Sequence, residues 1–215
     1  MLKKYKKTII LTTIVMLLPI LIGFLLWDKL PDKVPIHWNA AGEIDGWSSK
    51  GFAIFGIPVF LFAVHWICLL MTKVDPKHKN HPDKMMRIVL WICPVISVFM
   101  CIVVYGTALG MELMVDKIVI AMVGLMFIIV GNYLPKCQQS YTLGIKIPWT
   151  LNDEENWNYT HRIGGRLWVV CGFVVLLSML LPPIPMLIVE LTVFTIAMAV
   201  PTVCSYLFYR KKMKE

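Results

Sequence analysis

Charge is scarce in this chain. Asp, Glu, Lys and Arg make up 16% of its 215 residues, against about 25% in soluble globular domains. So few charges cannot keep a surface of ordinary size in water, and a soluble domain is excluded. Acids are scarcer still, at 13 against 21 Lys and Arg, for a net charge of +8. The cations sit at the ends of apolar runs and form no basic face, so no direct nucleic-acid partner is expected. CxxC pairs and Cys/His clusters at zinc spacing are also missing. Cys68, Cys93, Cys101, Cys137, Cys171 and Cys204 lie in apolar runs or in segments assigned to the cytoplasmic side, where structural disulfides are not expected. There is no nucleophile elbow, metal signature or phosphate loop, so no catalytic residue, metal or cofactor is assigned. His161 near carboxylates is an acid/base pair on paper only. Internal repeats, low-complexity tracts and linkers are absent as well, and the whole of 1–215 is expected to form a single membrane domain.

Apolar residues supply 58% of the chain, and they fall in runs of membrane-spanning length. The spacing predicts about six transmembrane helices at 8–27, 51–71, 88–110, 118–134, 163–181 and 186–208. The first follows Lys3, Lys4, Lys6 and Lys7 as a signal peptide would. It is too long for a typical signal core and has no small-residue cleavage site, so it is expected to be retained. The fifth is the shortest cleanly apolar run, because Gly164, Gly165 and Arg166 interrupt its start. Assigning alternate loops to alternate sides puts 17 of the 21 Lys and Arg on the side of the termini. That asymmetry places both termini in the cytoplasm. The fold class is therefore an all-α polytopic helical bundle in a bacterial cytoplasmic membrane, with the lipid bilayer as its first partner. Pro19, Pro58, Pro94 and Pro201 lie inside spans, where each removes a backbone hydrogen bond. Gly106 and Gly110 form a GxxxG step suited to close helix packing.

Two loops are long and rich in Trp, Gly, Pro and polar residues, which is where function concentrates. The outer loop, 28–50, contains His37, Trp38, Asn39, Gly42, Glu43 and Asp45, the closest grouping of polar side chains outside. It is expected to be a hydrogen-bonded loop folded onto the bundle, carrying a recognition surface. The inner loop, 135–162, is expected to run extended through Pro148 and Trp149 to an N-cap at Asn152. A short interfacial helix follows to Arg162. On it Trp157 and His161 share one face and Asn158 and Arg162 another. Trp149 and Trp157 are expected to anchor it among the headgroups, and Gly164-Gly165 to turn the chain into the fifth span. Two ionisable residues, His65 and Glu190, fall within spans and are intramembrane polar candidates.

The segment Pro31, Pro35, Ile36, His37, Trp38, Asn39, Gly42, Asp45 and Lys50 resembles a domain of unknown function that opens many small bacterial membrane proteins. A second set comprises Gly131-Asn132, Leu134-Pro135, Gly144-Ile145, Pro148-Trp149-Thr150-Leu151, Trp157, Thr160-His161-Arg162 and Gly165. It resembles the signature of the SdpI family, and the two together cover nearly the whole chain in order. The resemblance implies a non-enzymatic membrane protein that confers immunity to a secreted peptide toxin and signals to a cytoplasmic repressor protein. By the same resemblance, Asn132, Gly144, Lys146, Pro148, Trp149, Trp157, His161 and Arg162 are the inner-loop motif. Ser140 stands where the family usually has Asn, and Lys146-Ile147 where it usually has Arg-Thr. The alternative is a small transporter or export-linked permease, suggested by the prolines, Glu190 and His65.

Overall fold

A computed structural model describes residues 3–77 and 82–215. Lys79, one of the cations counted on the inner side, lies outside them. The chain runs α1 (Lys6–Leu25), β1 (Lys33–Trp38), β2 (Ile44–Ser49), a π-helical turn (Phe52–Gly56), α2 (Ile57–Val74) and α3 (Asp83–Ala108). It continues with α4 (Val115–Tyr133), a 3-10 turn (Leu134–Lys136), α5 (Pro148–Asn152), α6 (Glu154–Ser178) and α7 (Pro183–Lys212). Among the described residues, six helical segments are long and apolar enough to cross a membrane: Lys6–Leu25, Phe52–Val74, Asp83–Ala108, Val115–Lys136, Glu154–Ser178 and Pro183–Lys212. This is a polytopic helical membrane protein of the cell membrane. Phe60, Ile184, Leu191 and Phe194 lie exposed on its helices, as side chains that face lipid do.

The fifth span departs from the sequence expectation. The interfacial helix and the span are one continuous helix, α6, which begins at Glu154 rather than near Ile163. Gly164 and Gly165 make no turn; both are buried within α6. The reason lies in packing. A Cβ on Gly164 would stand 2.7 Å from the Ile145 side chain, and one on Gly165 2.5 Å from Pro135. The glycines are thus places where other chain presses onto the helix.

The chain forms two compact units, Met1–Lys73 with Met86–Asp116 and Val74–Met85 with Lys117–Glu215. In the first, Leu30, Val34, Ala53, Ile54, Cys101, Val104 and Tyr105 form a buried cluster, with Trp27, Ile36 and Trp38 packed against it. The Ser97 hydroxyl donates to the Met16 carbonyl at 2.8 Å and the Tyr105 hydroxyl to the Pro19 carbonyl at 3.1 Å. Those bonds tie α3 to α1 on either side of its proline turn. Gly110 lies beyond the end of α3 at φ +88°, with open space around it. It caps the helix, with its neighbour's N–H (Met111) bonded to the Gly106 carbonyl at 3.0 Å, and is not a helix-packing step.

In the second unit the close helix contact is between α4 and α6. A Cβ on Gly172 would come within 2.6 Å of the Gly124 carbonyl, and one on Gly165 within 2.7 Å of the Gly131 carbonyl. The two pairs are spaced alike on each helix, so the backbones meet antiparallel along a glycine seam. Cys171, Val175, Val193 and Ala197 continue the core toward α7, where the Trp168 indole donates to the Ala197 carbonyl at 3.0 Å.

Candidate functional site

The outer loop is an antiparallel hairpin. Asn39 builds its turn: its Oδ1 accepts the N–H groups of Ala41 and Glu43 at 2.9 and 3.0 Å, and its Nδ2 donates to Glu43 Oε2 at 3.1 Å. Gly42 supplies the left-handed residue at φ +79°. His37 Nδ1 lies 2.5 Å from Asp45 Oδ1 across the strands. Opposite His37 only glycine fits, since a Cβ on Gly46 would be 2.7 Å from the His37 Cβ. Of the five outer-loop candidates, the hairpin therefore brings together His37 with Asp45, and Asn39 with Gly42 in the turn. Trp38 stands apart from them, half-buried against the core. Trp47 is not among the candidate residues singled out from the sequence. It is 56% exposed, paired with Pro35 across the ladder.

The inner loop folds around two buried groups. The first is Asp75, just past the end of α2 and 3% exposed. Its Oδ2 accepts the hydroxyls of Ser140 (2.7 Å) and Thr142 (2.9 Å) and the N–H groups of Tyr141 (3.0 Å) and Thr142 (3.1 Å). Its Oδ1 accepts the Lys77 N–H at 2.8 Å. Burial pushes the Asp75 carboxyl up, but these donors outweigh it and hold the group below its usual range. Ser140 fits because it donates to Asp75 while accepting the N–H groups of Thr142 and Leu143 at 3.0 and 3.2 Å. Gln139 extends the network, donating to the carbonyls of Thr150 and Leu151 at 2.8 and 2.9 Å and accepting from Lys77.

The second group is the Trp157–His161 stack, with ring centroids 4.0 Å apart and both side chains fully buried. The Trp157 indole donates to the Cys137 carbonyl at 2.7 Å. His161 Nε2 accepts the Ile145 N–H at 2.9 Å, which leaves Nδ1 to donate to the Trp157 carbonyl at 2.8 Å. That is the neutral imidazole, with both nitrogens committed to backbone. Gly144 passes over the stack at φ +105°, where a Cβ would sit 2.5 Å from His161 Nε2 and 2.8 Å from Trp157. Cys137 lies beneath, its thiol pushed up to about 12 by burial. Trp157 is therefore a loop brace and not a headgroup anchor, because its indole finds a carbonyl inside the fold.

The approach to α6 also differs from expectation. Residues 148–152 form the short helix α5, with Pro148 in its first turn, in place of an extended strand. The Thr150 hydroxyl accepts the Ile147 N–H at 3.1 Å and donates to the Ile145 carbonyl at 2.8 Å. The cap of α6 is Asp153 and not Asn152; its Oδ1 accepts from Glu155 and Asn156 at 2.9 and 3.3 Å. The Lys212 ammonium bridges Asp153 at 2.8 Å and Glu155 at 3.0 Å. That contact, joined by the helix-start N–H groups, holds the Asp153 carboxyl below its usual range. Asn156 ties α6 to α7, accepting from the Ser205 hydroxyl at 2.6 Å and donating to the Ser205 carbonyl at 3.0 Å.

Pro148, Trp149, Asn152, Asp153, Tyr209, Lys212 and Met213 line an open cleft of about 410 Å³. Trp149 lies 5.1 Å from the Tyr206 ring and 6.2 Å from the Tyr209 ring. Lys146 and Arg162 are exposed and bond the carbonyls of Thr142 (3.1 Å) and Asn158 (3.3 Å). Asn132 is exposed near the end of α4, outside this network. Of the inner-loop motif, Gly144, Trp157 and His161 thus form one cluster, while Pro148 and Trp149 line the cleft. His65 is 2% exposed on α2, with no hydrogen-bond partner for its Nε2 among the described residues, and Glu190 is half-buried on α7.

Residues 136–205 match the model of the SdpI/YfhL protein family, and residues 14–62 match a domain of unknown function, DUF1648. Among curated proteins, Immunity protein SdpI of Bacillus subtilis (strain 168) is 28% identical over 211 residues, covering 96% of this chain and 97% of that relative. No solved structure matches the chain.

Proposed function

We propose that this chain, which is similar to the SdpI/YfhL protein family over residues 136–205 and to an immunity protein end to end, is itself an immunity protein that protects the cell carrying it from a secreted antimicrobial peptide toxin. The observation that carries the proposal is end-to-end similarity to an immunity protein, at 96% coverage. The hairpin supports it as the recognition element, since His37, Asp45 and Trp47 stand exposed on an ordered scaffold. The inner loop reports the encounter to a cytoplasmic repressor. A partner reaches α5, the Trp149 cleft, Lys146 and Arg162, because Trp157 and His161 are wholly buried.

The test is a growth assay against the toxin with immunoblots for abundance. Joint Ala substitution of His37, Asp45 and Trp47 is expected to lower protection while the protein level stays near normal. Full protection by that triple variant would overturn the hairpin as the recognition element.

A further inference from the structure

The hairpin ladder has a register that can be read to the single hydrogen bond. Pro35 pairs with Trp47 and has no N–H, so that pair cannot exchange hydrogen bonds. Antiparallel pairs alternate. Val34 with Ser48 is then a bonded pair and Lys33 with Ser49 is not, and the Lys50 N–H to Asp32 carbonyl bond of 3.0 Å fits the same alternation. It follows that the N–H and C=O of Trp47 and the N–H of Ser49 point away from β1. The sheet has two strands among the described residues, and no hydrogen bond from any of those residues reaches these groups.

The two edges of the sheet are not equivalent. On β1 the outward positions are Lys33 and Pro35; Pro35, opposite Trp47, removes the donor there and blunts that edge. The β2 edge has no proline and leaves both backbone polarities open beside the exposed Trp47 indole. An open edge of this kind binds extended chain by main-chain pairing, with the neighbouring side chains setting preference. Here the neighbours are acidic. Glu43 and Asp45 stand exposed at the turn end, and the Asp116 carboxylate approaches Gly42 closely, 3.1 Å from where its Cβ would be. The hairpin's lysines lie at its base, where Lys50 pairs with Asp32 at 3.0 Å and covers Trp27.

We propose that the β2 edge at Trp47 takes an extended, cationic segment of a secreted peptide as a third strand. This rests on the immunity reading and specifies how its recognition surface works. Main-chain bonds to Trp47 and Ser49 hold the segment, the indole packs on it, and the carboxylates at the turn select for positive charge.

The experiment is amide hydrogen exchange on the full chain in phosphatidylcholine nanodiscs, with a synthetic peptide of alternating lysine and valine. It needs no toxin, so its failure and that of the immunity reading, judged by growth, are separate. At saturating peptide the Trp47 and Ser49 amides are expected to slow about tenfold or more. An alternating glutamate–valine peptide is expected to leave them unchanged. Trp47→Pro removes one outward donor, spares the ladder and is expected to abolish protection at Ser49; Trp47→Ala is expected to retain part of it. Three results would overturn the proposal: no slowing with the lysine peptide, equal slowing with the glutamate peptide, or equal slowing in Trp47→Pro. Slow exchange of both amides before any peptide is added would equally overturn it, since lipid or a second copy would then already cover the edge.

Discussion

Asp75 sits in the string Val74-Asp75-Pro76-Lys77, which looks like an ordinary charged turn. Locally it only closes a turn by accepting the Lys77 N–H; the donors that bury it, Ser140, Tyr141 and Thr142, come from far along the chain. Its pH behaviour follows from its environment. The folded carboxyl titrates below the unfolded value of 3.8, so its stabilisation is complete above that value and fades as pH falls through the folded one. Thermal unfolding in detergent is expected to show an acid-side loss of stability that is reduced in Asp75→Asn. An unchanged acid limb would contradict the role assigned to Asp75. A residual limb is expected from Asp153, whose carboxyl is depressed in the same direction by Lys212. Asp75→Ala also strands buried donors, at about 1–3 kcal/mol for each left without a partner.

Gly144 offers a second test at this scale. Alanine there would be strained at φ +105° and would collide with His161 and Trp157. In a background where the other five cysteines are replaced, Cys137 is expected to resist maleimide at neutral pH, being 2% exposed with its thiol pushed up to about 12. Gly144→Ala is expected to speed its labelling. Equal rates in both proteins would show that the loop does not need this glycine.

Among the elements, α6 separates packing from recognition. Gly165 and Gly172 meet Gly131 and Gly124 backbone to backbone, so Gly172→Leu is expected to lower membrane abundance sharply. Overpacking typically costs about 1–3 kcal/mol, and more where backbone must move. The same contrast divides the two inner-loop tryptophans. Trp157→Ala removes a fully buried indole and its bond to Cys137, at about 3–5 kcal/mol, so abundance, protection and signalling should fall together. Trp149→Ala touches a cleft wall beside Tyr206 and is expected to keep abundance while weakening the repressor response. Equal abundance in the two variants would refute the division.

The sequence makes α6 hard to read because a Gly-Gly step has two physical uses. It frees a backbone to turn, or it strips a helix for close contact, and only the partners at Gly131, Pro135 and Ile145 decide between them. The same holds for Trp157: an interfacial spacing is also a core spacing once a loop folds over it. By contrast, the pairing of Trp157 with His161 is legible, because residues four apart on a helix share a face whatever lies opposite. Asn39 and Gly42 are legible too, since turn chemistry is local.

For the whole molecule, apolar run length and charge placement carry most of the information, because the bilayer imposes both. Among the described residues, six helices are long and apolar enough to cross a membrane. Sidedness is tested by single cysteines in a cysteine-free background. Ala40→Cys is expected to react with an impermeant thiol reagent from outside and Lys214→Cys only after the membrane is opened; labelling of both from the same side would sink the six-span arrangement.

The most direct measurement of the function is growth of a Bacillus subtilis strain lacking its own SdpI, challenged with the peptide toxin and expressing this chain at a level verified by immunoblot. Given the similarity over 96% of the chain, the account predicts survival, reduced when His37, Asp45 and Trp47 are replaced together. Killing at full abundance, with survival restored by the strain's own protein, would contradict protection against that toxin.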